Sequence, residues 1–188
     1  MSKPKGPRAE RRLHDGAWIQ SQAAAFAKDI AAQGVLGHAL LVGIERRGAA
    51  LARRVREAVA ELTKVRVPCG SLDITLYRDD VALRGPKLHT PKGGTRLEGP
   101  LDDRLVFLID DVLCTGRTIR AALSELMDFG RPGMVRLYSL IDRGGRELPI
   151  QPDRVGERLT VSTTELVDVR LKEVDGEDGV YVLAGEIR

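Results

Sequence analysis

Leu105-Val106-Phe107-Leu108-Ile109-Asp110-Asp111-Val112-Leu113-Cys114-Thr115-Gly116-Arg117-Thr118 decides the fold. Its first five residues form the most apolar run of the chain, short enough for a strand buried on both faces. The run ends on two adjacent carboxylates, a turn of small residues and a helix predicted from Thr118 to about Phe129, stopped by Gly130. Neighbouring carboxylates repel unless something uses them, such as a sugar diol or a cation. Thr115 and Gly116 let backbone N–H groups turn inward over the helix start, where oriented amides and the helix dipole cradle a phosphate. The threonine hydroxyls add donors. By themselves these residues point to a ligand that carries a ribose and a phosphate.

The same alternation recurs on either side. Ala39 to Ile44 reads as a buried strand, followed by the charged loop Glu45-Arg46-Arg47-Gly48 and a helix from Ala49 to about Thr63. After Arg131-Pro132-Gly133 comes another strand, Met134 to Ile141. Strand and helix in turn imply a parallel sheet with helices on both faces, right-handed crossovers and ligands at the strand carboxyl ends. Towards the N-terminus, Trp18, Ile19, Ala23, Phe26, Ala27 and Ile30 lie at helical spacing within Gly16 to Gln33, with Trp18 expected in the core or a subunit contact. A strand pair is expected over Val65 to Val67 and Leu72 to Leu76. Val81 to Asp103, rich in Gly, Pro, Lys and Arg and without a period, reads as a long excursion. From Arg158 onward, Val167, Val169, Leu171 and Val174, then Val180, Val182 and Ala184, suggest a closing antiparallel pair around the acidic turn Asp175 to Gly179.

The chain of 188 residues suits one domain, residues 1–188, with about residues 1–13 as a basic, disordered tail. An apolar share of 43% with 30% charged residues fits a folded, soluble protein. No run nears a membrane span, no export signal is read, and Cys69 and Cys114 form no metal or redox pair, so a cytoplasmic protein without a protein-held metal is expected. The net charge of +3 and pI near 9.0 suit phosphate-rich ligands. Cys114 reads as a small loop filler, and His14, His38 and His89 as isolated surface or loop residues.

The segment Val106 to Thr118 resembles the phosphoribosyl pyrophosphate signature of type I phosphoribosyltransferases. Leu72-Asp73-Ile74-Thr75-Leu76-Tyr77-Arg78-Asp79-Asp80, Asp142-Arg143-Gly144-Gly145-Arg146-Glu147-Leu148-Pro149-Ile150, Leu41 to Ile44 and Arg47-Gly48 resemble blocks of the bifunctional pyrimidine operon regulatory proteins, RNA-binding attenuators with uracil phosphoribosyltransferase activity. The matching blocks extend from about residue 39 to residue 184. The resemblance implies an α/β type I phosphoribosyltransferase fold, a parallel sheet flanked by helices with a small hood, that converts uracil and phosphoribosyl pyrophosphate to UMP and pyrophosphate and responds to UMP or UTP.

Roles follow as further implications of the resemblance. Asp110 and Asp111 hold the ribose hydroxyls and steady the cationic sugar, and Arg78 and Asp79 close over the pyrophosphate. Val112, Leu113, Cys114, Thr115, Gly116, Arg117 and Thr118 form the loop that takes the 5′-phosphate. Arg46, Arg47 and Gly48 form the pyrophosphate loop, where such enzymes place a non-proline cis peptide. Asp142, Arg143 and Val167 sit over uracil. Magnesium is held mainly by the substrate. Leader mRNA of the pyrimidine operon is the implied macromolecular partner, and a homo-oligomer the implied state. Departures from the family at Ala23, Ala24, Ala27, Gly145, Gln151 and Glu157 fall on the RNA side, leaving Arg146, Arg154 and Arg158 there. The residues alone do not choose the base. An attenuator with residual transferase activity, and a transferase for another base, stay open.

Overall fold

A computed structural model describes residues 10–74 and 94–184. In chain order these form β1 (Glu10–Asp15), α1 (Gly16–Ala32), β2 (Ala39–Ile44), α2 (Arg47–Thr63), β3 (Cys69–Leu72), β4 (Arg96–Leu97), β5 (Leu105–Leu113), α3 (Arg117–Asp128), β6 (Met134–Asp142), β7 (Arg154–Arg158), β8 (Leu166–Arg170), α4 (Lys172–Asp175) and β9 (Gly179–Leu183). Six strands make the main sheet in the order β4-β3-β2-β5-β6-β7, parallel throughout except for β4. Three more, in the order β1-β9-β8, make a separate antiparallel hood.

Each parallel strand is apolar on both sides because both sides are covered. Leu41, Phe107, Ile109, Tyr138 and Leu140 face a core filled by Ile19, Phe26 and Ile30 of α1 and Leu51, Val55 and Val59 of α2. The alternate residues Leu40, Val42, Val106, Leu108 and Leu137 meet Ile119, Ala122 and Leu126 of α3. Val169, Leu171 and Val180 of the hood region join the first core, so the hood is seated on the α1–α2 face.

Several expectations are corrected. β5 runs to Leu113, past both aspartates, since β6 stays paired with it as far as Asp142. No strand covers Val65 to Val67; the chain pairs with β2 only from Cys69 to Leu72, and residues 75–93, including His89, lie outside the described residues. The basic tail was expected to reach about residue 13, yet Glu10–Asp15 is a strand laid against β9. Pairing between segments so distant in sequence leaves no local period in a stretch as polar as Glu10-Arg11-Arg12. β7 pairs with nearby β6 but was also missed, because Arg154-Val155-Gly156-Glu157-Arg158 is too polar and too short to show a strand pattern. His14 is neither isolated nor free: its ring stacks on Trp18 at 3.9 Å and its Nε2 lies 2.7 Å from Glu157 Oε2, joining β1 to the far edge of the main sheet. No helix among the described residues is long and apolar enough to cross a membrane.

Candidate active site at the carboxyl ends of the central strands

β2, β5 and β6 are parallel neighbours, so their carboxyl ends bring three turns to one edge: Arg46–Gly48, Asp110–Thr118 and Asp142–Arg146. Two glycines set how closely they meet. A Cβ on Gly48 would lie 2.5 Å from the Ile109 carbonyl oxygen and 3.3 Å from Asp110 Oδ1, and one on Gly43 would lie 2.3 Å from the Gly48 carbonyl oxygen. Only bare backbone lets α2 start against β5, with its first amides beside Asp110. The Glu45–Arg46 peptide is cis.

Asp110 is buried, at 5% exposure, and Asp111 is half-buried. Asp110 Oδ1 accepts the Asp111 backbone N–H at 3.1 Å. Burial pushes both carboxyls up, Asp110 well above the ordinary range, and the neighbouring Asp111 adds repulsion to Asp110. The charge of Arg47 pulls Asp111 the other way. The pair therefore sits in a state that an arriving cation or hydroxyl donor relieves.

Beyond them, α3 begins after Gly116, which caps it at φ 90°. Thr115 Oγ1 accepts the Arg117 N–H at 3.3 Å, and the Thr115 carbonyl accepts the N–H groups of Glu147 and Leu148 at 3.0 and 3.1 Å. Leu148 and Ile150 also pack close to Gly116. The segment 143–150 thus props the loop from below. Leu113 is buried in the second core and Val112 packs against the first, so their side chains anchor the loop. Arg117 and Thr118 are exposed at the helix start, with Arg117 Nε 2.6 Å from Glu147 Oε2.

Asp142 and Arg143, expected over the base, are committed within the protein. Burial alone would raise the Asp142 carboxyl; the Arg146 guanidinium at 2.9 Å and the Gly144 N–H at 3.0 Å bring it below the ordinary range. Arg143 donates to Cys114 Sγ at 2.9 Å and to the carbonyls of Ser162 and Glu165 at 3.3 and 2.8 Å. Cys114 is therefore a contact point rather than a filler. Val167 is half-buried on β8, its side chain against the first core.

The RNA-side expectations divide. Arg146 is corrected: its side chain is 15% exposed and bonds Asp142, the Cys114 carbonyl at 2.9 Å and the Ile150 carbonyl at 2.8 Å. Arg154 and Arg158 stand exposed on β7, the edge strand. Ala23 and Ala27 are buried in the first core. Arg78 and Asp79 lie outside the described residues.

Sequence reasoning missed one set of residues. Arg47 is gripped side-on by Asp175, Nε and Nη2 each donating at 3.0 Å, and its Nη1 lies 2.9 Å from Asp168 Oδ1. Seven residues along the same helix, Arg54 binds Glu173 at 2.6 to 2.8 Å and Asp178 at 2.6 to 3.1 Å. The signal was present: arginines two turns apart on α2 and a complementary acidic stretch, read only as an acidic turn between strands.

The phosphoribosyl transferase domain family matches residues 12–173. Hypoxanthine phosphoribosyltransferase of Trypanosoma cruzi superposes with a TM-score of 0.65 at 17% identity, covering 95% of this chain and 98% of that one. That of Staphylococcus aureus gives 0.61 at 16% identity over 95% and 92%. Likeness at such low identity shows the fold. Sequence relatives are much nearer: a bifunctional protein PyrR of Roseiflexus sp. (strain RS-1) is 54% identical over 146 residues, 76% of this chain and 78% of its own. Another from Streptomyces coelicolor is 51% identical over 76% of this chain and 73% of its own. With the family's fold, its acid pair and relatives at this identity, the chain belongs to the phosphoribosyl transferase domain family and, within it, to the PyrR bifunctional proteins.

Proposed function

We propose that phosphoribosyl pyrophosphate binds across the carboxyl ends of β2 and β5, with Asp110 and Asp111 on the ribose, Thr115 to Thr118 on the 5′-phosphate and the Arg46–Gly48 turn on the pyrophosphate. The family makes the chain a pyrimidine operon regulator with uracil phosphoribosyltransferase activity, forming UMP and pyrophosphate. One observation carries the site assignment: two carboxyls raised by burial lie beside the starts of two helices on adjacent parallel strands. Helix starts favour phosphates, and carboxylates favour the positive charge that grows on the sugar as pyrophosphate leaves.

Carbon–nitrogen bond formation at the anomeric carbon then needs no protein nucleophile. The α3 start fixes the 5′-phosphate, the α2 start receives the leaving group, and the acid pair lies between them, oriented before the reaction begins. Transferases of this family use magnesium with phosphoribosyl pyrophosphate. The donors fit an ion held mainly by substrate, since Asp110 and Asp111 offer hard oxygens at the edge where the diol and pyrophosphate would lie. Bound there, the ion would neutralise the leaving pyrophosphate.

For regulation, leader mRNA is the partner, with Arg154 and Arg158 contacting phosphates, UMP or UTP as the signal, and a homo-oligomer as the working state. Pyrophosphate release with magnesium, comparing uracil with orotate, hypoxanthine and no base, tests the transferase; release that does not depend on uracil would sink it. RNA binding that is steeply salt-dependent and responds to UMP is the expected result for the regulator. A flat salt response would exclude phosphate contacts of this kind.

A further inference from the structure

Among the described residues, the hood shares no strand ladder with the main sheet. Among the described residues, the hood meets the body near the site through its apolar seat on the first core, the ion pairs to α2 and the bonds from Arg143 to the Ser162 and Glu165 carbonyls just before β8. Arg47 stands at the point where these ion pairs meet the site. It is the first residue of α2, in the turn assigned to pyrophosphate, yet its Nε, Nη1 and Nη2 all point to hood-side carboxylates. Asp168 follows Val167 on β8, so the Arg47–Asp168 contact fixes the strand residue next to the one assigned to the base. Asp175 is itself fixed, since its Oδ2 also accepts the Leu171 N–H at 2.9 Å. A planar guanidinium held side-on by one carboxylate and end-on by another is oriented on two axes. To grip pyrophosphate it would have to break both contacts.

Resting on the reading above, we infer that Arg47 serves transfer as a positioning residue: its side chain straps β8 and α4 down beside the base, while pyrophosphate is left to Arg46 and the backbone of the turn. Arg46 is exposed and has no ion pair among the described residues, which leaves its guanidinium available for that task. The inference separates two adjacent arginines that the sequence motif treats alike.

Steady-state kinetics of Asp175→Asn, Arg47→Ala and the double variant distinguish the two roles, because asparagine keeps an acceptor for the Leu171 N–H while losing the charge. If Arg47 is a strap, each single change raises KM for uracil about tenfold and moves KM for phosphoribosyl pyrophosphate by less than about threefold, and the double variant is no worse than either. Arg54→Ala supplies the comparison. It removes the other hood bridge, about 10 Å along the helix from Arg47, and should lower thermal stability with both KM values unmoved. A rise in KM for phosphoribosyl pyrophosphate in Arg47→Ala, with Asp175→Asn silent, would show the guanidinium acting on pyrophosphate and overturn the inference. So would an equal rise in uracil KM from Arg54→Ala. Absence of turnover in the unsubstituted protein would sink the transferase reading and this role together, whereas turnover with unmoved uracil KM in the variants sinks the role alone.

Discussion

Carboxylates flank the α2 helix on two sides, and their surroundings treat them in opposite ways. Asp110, buried, and Asp111, half-buried, sit side by side near the end of β5, and both carboxyls are pushed up. Glu173, Asp175 and Asp178, on and after α4, meet Arg47 and Arg54 and are drawn below the ordinary range. The second group stabilises the fold by giving arginines partners. The first group costs the fold stability, as expected of groups kept for a ligand. The difference teaches which acids to assign to chemistry: those at which burial outweighs the pull of the described cations.

The largest effect should come from breaking the first group. Asp110→Asn with Asp111→Asn should lower uracil-dependent pyrophosphate release by about a thousandfold, since donors and charges aimed at a transition state contribute on that scale. The same variant should melt higher than the parent near neutral pH. A carboxyl whose folded value is raised contributes stability that is full below its unfolded value and lost as pH rises through the folded one. Asparagine removes that loss. Thermal melts against pH check it, and a variant melting lower than the parent at neutral pH would contradict the unpaired state of these acids.

Gly48→Ala tests how the two groups are kept apart. The added methyl would sit 2.5 Å from the Ile109 carbonyl oxygen, so α2 must shift away from β5. Misplacement of this order should cost about a hundredfold in kcat/KM, and the strain about 1 to 3 kcal/mol of stability in a denaturant titration. Retained activity would mean that the closeness of α2 to the acid pair is not needed.

The first group and the loop after it, as strand, acid pair and helix start, were legible in the sequence because a buried strand, two acids and a small-residue turn are consecutive. The second group was not. Arg47 and Arg54 find acids more than a hundred residues away, and β1 finds β9 across almost the full chain. Hydropathy periods report on one element and its neighbours, so a polar strand such as Glu10–Asp15 and an acidic helix turn such as Lys172–Asp175 look like tail and loop. The roles of Arg143 and Arg146 were misread for a related reason. Their residue types suit ligands, but buried carbonyls and Asp142 had the prior claim on their donors.

Breaking the second group should be felt in stability and in its pH dependence. Arg54 is only 13% exposed and joins two carboxylates. Removing one partner from such a site leaves charges facing each other, and allowing for the partial exposure of Glu173 and Asp178, Arg54→Ala should cost about 2 kcal/mol. For a chain of this length that is about 4 to 8 °C in Tm. Arg54 lowers Glu173 directly, and at Asp178, where burial pushes up, Arg54 acts with the Lys172 N–H and charge to bring the carboxyl below the ordinary range. Groups lowered in the folded state contribute stability that is present above their unfolded values and lost as pH falls through the folded ones. With ordinary values of 4.5 for Glu173 and 3.8 for Asp178, the loss falls from about pH 4.5 downward. The parent should therefore lose its advantage over Arg54→Ala in that range, and an advantage unchanged down to pH 3 would show that packing, not charge, is what Arg54 supplies.

The smallest effect sharpens the contrast by taking an ion pair that looks equally good on distance. Arg117 Nε lies 2.6 Å from Glu147 Oε2, as close as the Arg54 contacts, but the two side chains are 54% and 50% exposed. Water screens such a pair and both long side chains lose freedom in making it, so Glu147→Gln should change stability by less than about 0.5 kcal/mol. The contact does touch the phosphate loop, whose Thr115 carbonyl accepts the Glu147 backbone N–H, and glutamine leaves that bond in place. Denaturant midpoints of Glu147→Gln and Arg54→Ala, taken side by side, therefore separate burial from distance as the cause of the hood's stability. Equal losses in the two would mean that distance alone sets the worth of an arginine–carboxylate contact in this protein.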